Sequence, residues 1–259
     1  MEQKVILHFD LKAGSGKSTM AALETYLLAR MKERVLLIDL DPSAVSTHAI
    51  QKTFSIANDT SKNVFQGLKD GDLNSQVLDV QENLAIIPGS LRINLWSPIV
   101  TAANDDDAGR ILTNLIANIH RKFSYILLDV PARWDMLSMN ALIASNFVFL
   151  LLENQKSSFS LFSEAAHHLA DFREASDASF TVSGIVPLLS RGSLTQPDNQ
   201  RFLTDARASF GQAVLHNVIW NQERIKVFTD EGISAKAAWD QRALDMYQRV
   251  LNEELTRIG

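Results

Sequence analysis

Eight consecutive residues, Lys12-Ala13-Gly14-Ser15-Gly16-Lys17-Ser18-Thr19, restrict the folds open to this chain more than any other stretch. They follow the apolar run Val5-Ile6-Leu7-His8-Phe9 and precede a stretch from Met20 to Met31 rich in strong helix formers. A short buried strand, a glycine-bearing turn and a helix start, in that order, leave several backbone N–H groups free to point at an anion, and the helix dipole favours negative charge there. The reading is a phosphate-binding loop spanning Ala13, Gly14, Ser15, Gly16, Lys17, Ser18 and Thr19, with Lys17 reaching the outer phosphates and the Ser18 hydroxyl on Mg²⁺. The pattern G-x-x-x-x-G-K-[ST] holds except at its first position, where Leu11 replaces glycine and Lys12 follows directly.

The rest of the chain supplies what such a loop needs. Arg34 to Pro42 is a continuous β-type run ending in two acids, Asp39 and Asp41, as in a parallel strand buried on both faces. Ligands of open α/β sheets gather at the carboxyl ends of such strands. Two acids there can hold Mg²⁺ through its waters and orient an attacking water. Phe123 to Pro131 is a second apolar run that delivers Asp129 at its end, where a carboxylate can accept hydrogen bonds from magnesium-bound water. Further strands are read at Asn83–Ser90, Asn146–Glu153, Phe180–Pro187 and Val214–Ile219, with helices at about 91–100, 108–122, 157–174 and 221–231 and a packed terminal helix ending near Leu255. This alternation predicts an α/β fold: a doubly wound, mostly parallel sheet with helices on both faces, as one domain over residues 1–259.

Composition sets limits on the alternatives. With 46% hydrophobic and 21% charged residues there is material for a full core and no disordered tail. The formal charge of −5 means that nucleic-acid binding requires a local basic surface. Zero cysteines exclude a disulfide framework and a thiolate metal site, which fits a reducing cytoplasm. No leader pattern or membrane-length apolar run is read, so a cytoplasmic location without a membrane anchor is expected. Asp105-Asp106-Asp107 reads as a helix N-terminus rather than a metal cluster, and the adjacent His167 and His168 face different sides of a helix and cannot share one metal. Arg133, just past Asp129, reads either as a finger toward the γ-phosphate or as a solvated loop residue.

Lys12, five residues before Lys17, gives K-A-G-S-G-K-S-T, which resembles the deviant Walker A motif K-G-G-x-G-K-[ST]-[ST] of the ParA/MinD family with Ala13 in place of one glycine. Asp39-Leu40-Asp41-Pro42 resembles that family's D-x-D-P signature, and Tyr125 to Pro131 its D-Y-I-I-I-D-x-P-P segment. Softer likeness extends over nearly the whole chain, Asn146 and Glu153 being departures. The resemblance implies a magnesium-dependent ATPase that forms a homodimer around ATP. In it Lys12 would cross to the other subunit's phosphates, Asp41 would position the hydrolytic water, Asp39 and Asp129 would support the magnesium through water, and Pro187 would border the adenine. It also implies slow, partner-stimulated hydrolysis and non-specific DNA binding, for which Arg191, Arg201, Arg224, Lys226, Lys236 and Arg242 are the candidates. The partner would be a separate centromere-binding or cargo adaptor protein, because no helix-turn-helix module precedes Lys12. The alternative is an ATPase adaptor of a conjugation or secretion apparatus, working through protein contacts.

Overall fold

The computed structural model describes residues 3–57, 59–103, 108–155, 158–189, 193–220 and 222–259. The chain opens with β1 (Lys4–Phe9), α1 (Lys17–Arg30), β2 (Val35–Asp39), α2 (Val45–Thr53) and α3 (Val64–Asp70). β3 (Leu78–Gln81), β4 (Leu84–Ile87), α4 (Trp96–Ala103), α5 (Ile111–Ala117), β5 (Tyr125–Asp129), α6 (Met136–Ala144) and β6 (Phe147–Glu153) follow. The remainder is α7 (Ser158–Ser176), β7 (Thr181–Leu189), α8 (Pro197–Phe210), β8 (Ile219–Trp220), α9 (Glu223–Glu231) and α10 (Ala238–Ile258).

The strands form one sheet in the order β3-β4-β2-β5-β1-β6-β7-β8, parallel throughout except for β3. The doubly wound arrangement follows from side chains that are apolar on both faces. In β1, Val5, Leu7 and Phe9 join a core with residues of α3 to α8, whereas Ile6 faces the opposite core with α1, α2, α9 and α10. A strand that must bury both faces cannot alternate with polar residues, which is why these runs read so clearly in the sequence. From β1 the chain winds outward through β2 and β4, returns to β5 beside β1, and then winds the other way through β6 to β8. The carboxyl ends of β1, β5 and β6 therefore flank the place where the winding reverses, which opens the crevice that open sheets use for ligands.

Several boundaries differ from the sequence reading. The strand expected over Val214–Ile219 is reduced to Ile219–Trp220 and a lone bridge from Val214 to Ile185. The backbone N–H groups of His216 and Asn217 donate to the Glu253 carboxylate at 2.7 and 2.9 Å, which removes them from the ladder. The helix expected over 108–122 is a 3₁₀ turn and then Ile111–Ala117. It stops where the Asn74 amide group accepts from the His120 N–H and donates to the Asn118 carbonyl, both at 2.8 Å. Asp105, Asp106 and Asp107 lie outside the described residues. β3, α6 and α8 are elements that the sequence reading did not identify. Among the described residues no helix is long and apolar enough to cross a membrane.

Candidate functional site

The phosphate loop leaves β1 and turns into α1 with two residues in the left-handed region, Gly14 at φ +77° and Gly16 at φ +92°. A Cβ at either would meet nothing within 4 Å, so backbone conformation and not crowding demands glycine there. Ala13 is exposed and does not have positive φ, so an L residue is tolerated where the family motif has glycine. Gly16 caps α1 without a side-chain hydrogen bond, so the loop keeps its N–H groups for an anion.

The two lysines of the loop differ. Lys17 is buried and folds back over its own loop, its Nζ donating to the Lys12 carbonyl at 3.1 Å and to Ser15 Oγ at 3.4 Å. Burial lowers its pKa, partly offset by Asp10, Asp129 and Asp41. Lys12 is about one-third exposed and pairs with Glu153 at the end of β6. Its backbone N–H is held at 3.0 Å by Asp10, a residue that the sequence reading passed over. Arg133 donates to Asn94 at 3.0 Å and pairs with Asp135 at 3.5 Å, so it is tied to the turn between β4 and α4 and to the start of α6.

The three predicted acids converge at the strand ends but occupy different environments. Asp39 and Asp129 are register partners across β2 and β5, both almost fully buried. Asp39 is engaged by its own segment. Oδ1 accepts from the Asp41 N–H at 3.0 Å, and Oδ2 accepts from the Thr47 N–H at 3.0 Å and its hydroxyl at 2.6 Å. Its carboxylate thus fixes the turn that carries Asp41. That turn is closed on the other side by Gly89, whose N–H donates to the Thr47 hydroxyl at 2.9 Å and where a Cβ would lie 2.8 Å from the Asp39 carboxyl carbon. Gly89→Ala is therefore expected to cost about 1–3 kcal/mol, read as a lower urea midpoint at unchanged m, and to lower turnover by displacing Asp41. In Asp41 itself, Oδ1 accepts from the Ser43 N–H at 2.8 Å and the Ser43 hydroxyl at 2.6 Å, while the side chain remains partly exposed.

Asp129 Oδ1 accepts from the Ser18 hydroxyl at 3.1 Å, and its buried Oδ2 has no donor among the described residues. Burial, with the Asp39 charge beside it, pushes Asp129 well above the usual carboxylate range. A hydroxyl and an underused carboxylate next to a phosphate cradle are the hard oxygen donors that Mg²⁺ accepts, so the residues fit the ion. The raised pKa has a definite sign in stability. The folded chain holds this proton longer than the unfolded chain, so metal-free stability falls as pH rises above about 4. Asp129→Asn removes the charge and keeps an acceptor for Ser18. It is expected to raise Tm at neutral pH in metal- and nucleotide-free buffer, at about 2–4 °C per kcal/mol, and to flatten the pH dependence, as measured by thermal denaturation across pH.

A cleft of about 220 Å³ runs from Gly14, Gly16 and Thr19 to an apolar end at Leu188, Ile225 and Tyr247. Pro187 does not line it. The period of two along β7 turns Leu188 toward the cleft and leaves Pro187 buried opposite Leu152. A larger cavity of about 460 Å³ lies across the Lys12–Glu153 pair, against Trp134, Phe162 and His168, and takes in Lys12 without the glycines of the loop.

The basic candidates do not form one free surface. Arg191 lies outside the described residues. Arg224 is taken up by the buried Asp240 and lies over the Phe228 ring. Arg201 pairs with Asp205 at 3.8 Å and Lys226 with Glu223 at 2.9 Å. Lys236 and Arg242 are exposed, and between them the sequence reading missed Trp239, which is 64% exposed.

Comparison with known proteins agrees with this geometry. The AAA_31 family, described as an AAA domain, matches residues 3–182. The chromosome partitioning protein ParA of Caulobacter vibrioides is 26% identical over 269 residues, covering 98% of this chain and 96% of that protein. Among other curated relatives the chain spans 65% of the length of one and 57% of another. A plasmid partition protein of Borrelia burgdorferi, solved bound to AMPPNP, superposes with a TM-score of 0.80 at 21% identity, over 99% of this chain and 100% of that one. The cobyrinic acid a,c-diamide synthase of Mycobacterium smegmatis, solved with an ATP analogue and magnesium, gives a TM-score of 0.79 at 17% identity over 97% and 93%. The fold is thus shared by partition proteins and by a biosynthetic enzyme. With its deviant loop, paired strand-end acids and family match, the chain belongs to the ParA-like family of P-loop ATPases.

Proposed function

We propose that the protein is a magnesium-dependent ATPase that dimerises around ATP, binds DNA without sequence preference and positions a plasmid, a chromosome region or another cargo. The observation that carries this reading is the difference between the two loop lysines: Lys17 completes its own cradle, and Lys12 contributes no side-chain contact to it and pairs with Glu153, its side chain partly exposed. A second cation beside a phosphate site, yet outside its own cradle, suits a trans contact.

Residues 1–259 act as one ATPase domain in this account. The loop N–H groups and Lys17 bind and orient the phosphates, and Lys12 of the other subunit adds charge as the transition state forms. Ser18 and Asp129 would hold the magnesium, which supplies charge neutralisation at the phosphates. Asp39 keeps the Asp41 turn in place, and Asp41 Oδ2, the oxygen not used by Ser43, orients the attacking water for in-line displacement. Leu188 and Ile225 form the walls against the base. Hydrolysis is slow until a centromere-binding or cargo adaptor protein stimulates it, in the cytoplasm where ATP and DNA meet.

DNA binding draws on Lys226, Lys236, Arg242 and Arg201, with the exposed Trp239 three residues from both Lys236 and Arg242 in sequence. The ATP-bound protein is expected to be retained on non-specific duplex DNA, with log affinity falling against log salt by about 0.9 per phosphate contacted. Retention that is absent, or indifferent to ATP and salt, would remove the DNA reading. One observation favours the adaptor alternative: three of the basic candidates, Arg201, Arg224 and Lys226, already pair with acids. Under that reading the ATP-trapped protein captures coupling or relaxosome components and not a centromere-binding protein.

A further inference from the structure

On the opposite side of β1 from the cavity at Trp134, the structure buries a histidine and two glutamates in the core between the sheet, α1 and α10. His8 of β1, Glu24 of α1 and Glu254 of α10 are 2%, 0% and 0% exposed. His8 Nε2 lies 3.0 Å from Glu254 Oε1 and 3.4 Å from Glu24 Oε1, and the donor atoms of all three residues fall within 4.8 Å of one another. The imidazole is held in place by stacking on Phe149, with ring centroids 5.8 Å apart. We propose that His8, Glu24 and Glu254 bind one divalent first-row transition ion, of the zinc or manganese type, through the imidazole Nε2 and an oxygen of each carboxylate.

Three observations carry the proposal. The first is unmet coordination: both Glu24 oxygens and Glu254 Oε2 are buried without a hydrogen-bond partner among the described residues, and one ring nitrogen sits against one oxygen of each carboxylate. Buried carboxylates without donors are costly, and a cation relieves both at once. The second is spacing. Ligands about 2.1 Å from an ion and about 90–110° apart lie about 3.0–3.4 Å from each other, the separations found from His8 to the two glutamates. The third is chemistry, since one neutral imidazole and two carboxylates balance a 2+ charge and form a donor set suited to these ions. The site is separate from the nucleotide's magnesium, because Glu24 lies seven residues beyond Lys17, about 10 Å along α1. A metal there would clasp α10 to α1 beneath the phosphate loop.

The test uses the whole chain, expressed with added Zn²⁺ or Mn²⁺ and purified without nucleotide or magnesium. Elemental analysis is expected to find about one equivalent of the supplied ion per chain, and Co²⁺ in its place should give visible d–d absorption. Glu24→Gln and Glu254→Gln should each bind at least about tenfold less metal, and chelation during refolding should lower the wild-type Tm but not that of the variants. A second variant, His8→Val with Glu24→Leu and Glu254→Leu, guards against misfolding: it should fold, bind no metal and show no metal-dependent Tm. The proposal is overturned by a folded wild type without metal whose Tm ignores all three ions, which would make the cluster a proton-sharing network. It is also overturned if the glutamine variants retain the metal, which would place the ion elsewhere.

Discussion

Asp41→Ala is expected to lower ATP turnover by about 10²–10⁴-fold while leaving nucleotide binding intact. The separation is expected because the turn around Asp41 is built mainly from backbone. Its N–H still donates to Asp39, and its carbonyl still accepts from the Ala44 N–H at 3.0 Å. The substitution removes only the carboxylate, with the Oδ1 contacts to Ser43 and the oxygen left for water. Phosphate contacts come from a different segment, the loop and Lys17, so they persist. Equilibrium binding of a fluorescent ATP analogue, measured beside phosphate release, checks this. If affinity collapses together with turnover, Asp41 is a structural residue of the turn and the hydrolytic role falls.

Lys12→Ala is expected to leave ATP binding to the single chain unchanged and to abolish ATP-dependent dimerisation. Turnover should fall by about 10³-fold or more, as when a cation supplied in trans is removed. Glu153 gives this prediction a second handle. In the single chain the Lys12 ammonium pairs with Glu153, and that pair must open before Lys12 can reach a phosphate in the other subunit. The lysine is about one-third exposed, so solvent screening holds the pair to about 1 kcal/mol or less. Glu153→Gln is therefore expected to tighten the ATP dimer by up to about fivefold for each pair that opens, measured by sedimentation over a range of concentrations. Opposite shifts from two adjacent positions would mark Lys12 as the residue that changes partners.

The parts of this molecule that were legible in the sequence are those determined by local pattern. The phosphate loop is contiguous, and strands buried on both faces must be continuous apolar runs, so β1, β2, β4, β5, β6 and β7 were recognisable without partners. β3 was not. Its residues alternate between half-buried Leu78 and Val80 and exposed Asp79 and Gln81 over only four positions, too short a period-two signal at a sheet edge. Its antiparallel direction depends on β4 alone. α6 lacks a polar face because it is packed on most sides, and so it gives little helical periodicity.

In the site, the convergence of Asp39, Asp41 and Asp129 could be anticipated because each ends a strand or follows one within two residues. What each carboxylate touches could not. Asp39 is committed to Thr47 by a turn of eight residues, and Lys12 meets Glu153 across 141 residues of sequence. Asn146, a departure from the family pattern, proves to be a brace for the start of the central strand, accepting from the Val5 N–H at 2.7 Å. Pro187 and Leu188 are neighbours in sequence, and only the pleat of β7 decides which of them reaches the cleft.

Whether ATP, through Lys12, joins two chains is read from the molar mass of the Asp41→Ala protein in solution. With hydrolysis blocked, the expected mass is that of a single chain without nucleotide or with ADP and twice that with ATP and magnesium. The further change Lys12→Ala should return it to a single chain. A mass that is the same with and without ATP, or a doubling that survives the loss of Lys12, would contradict a dimer formed through Lys12.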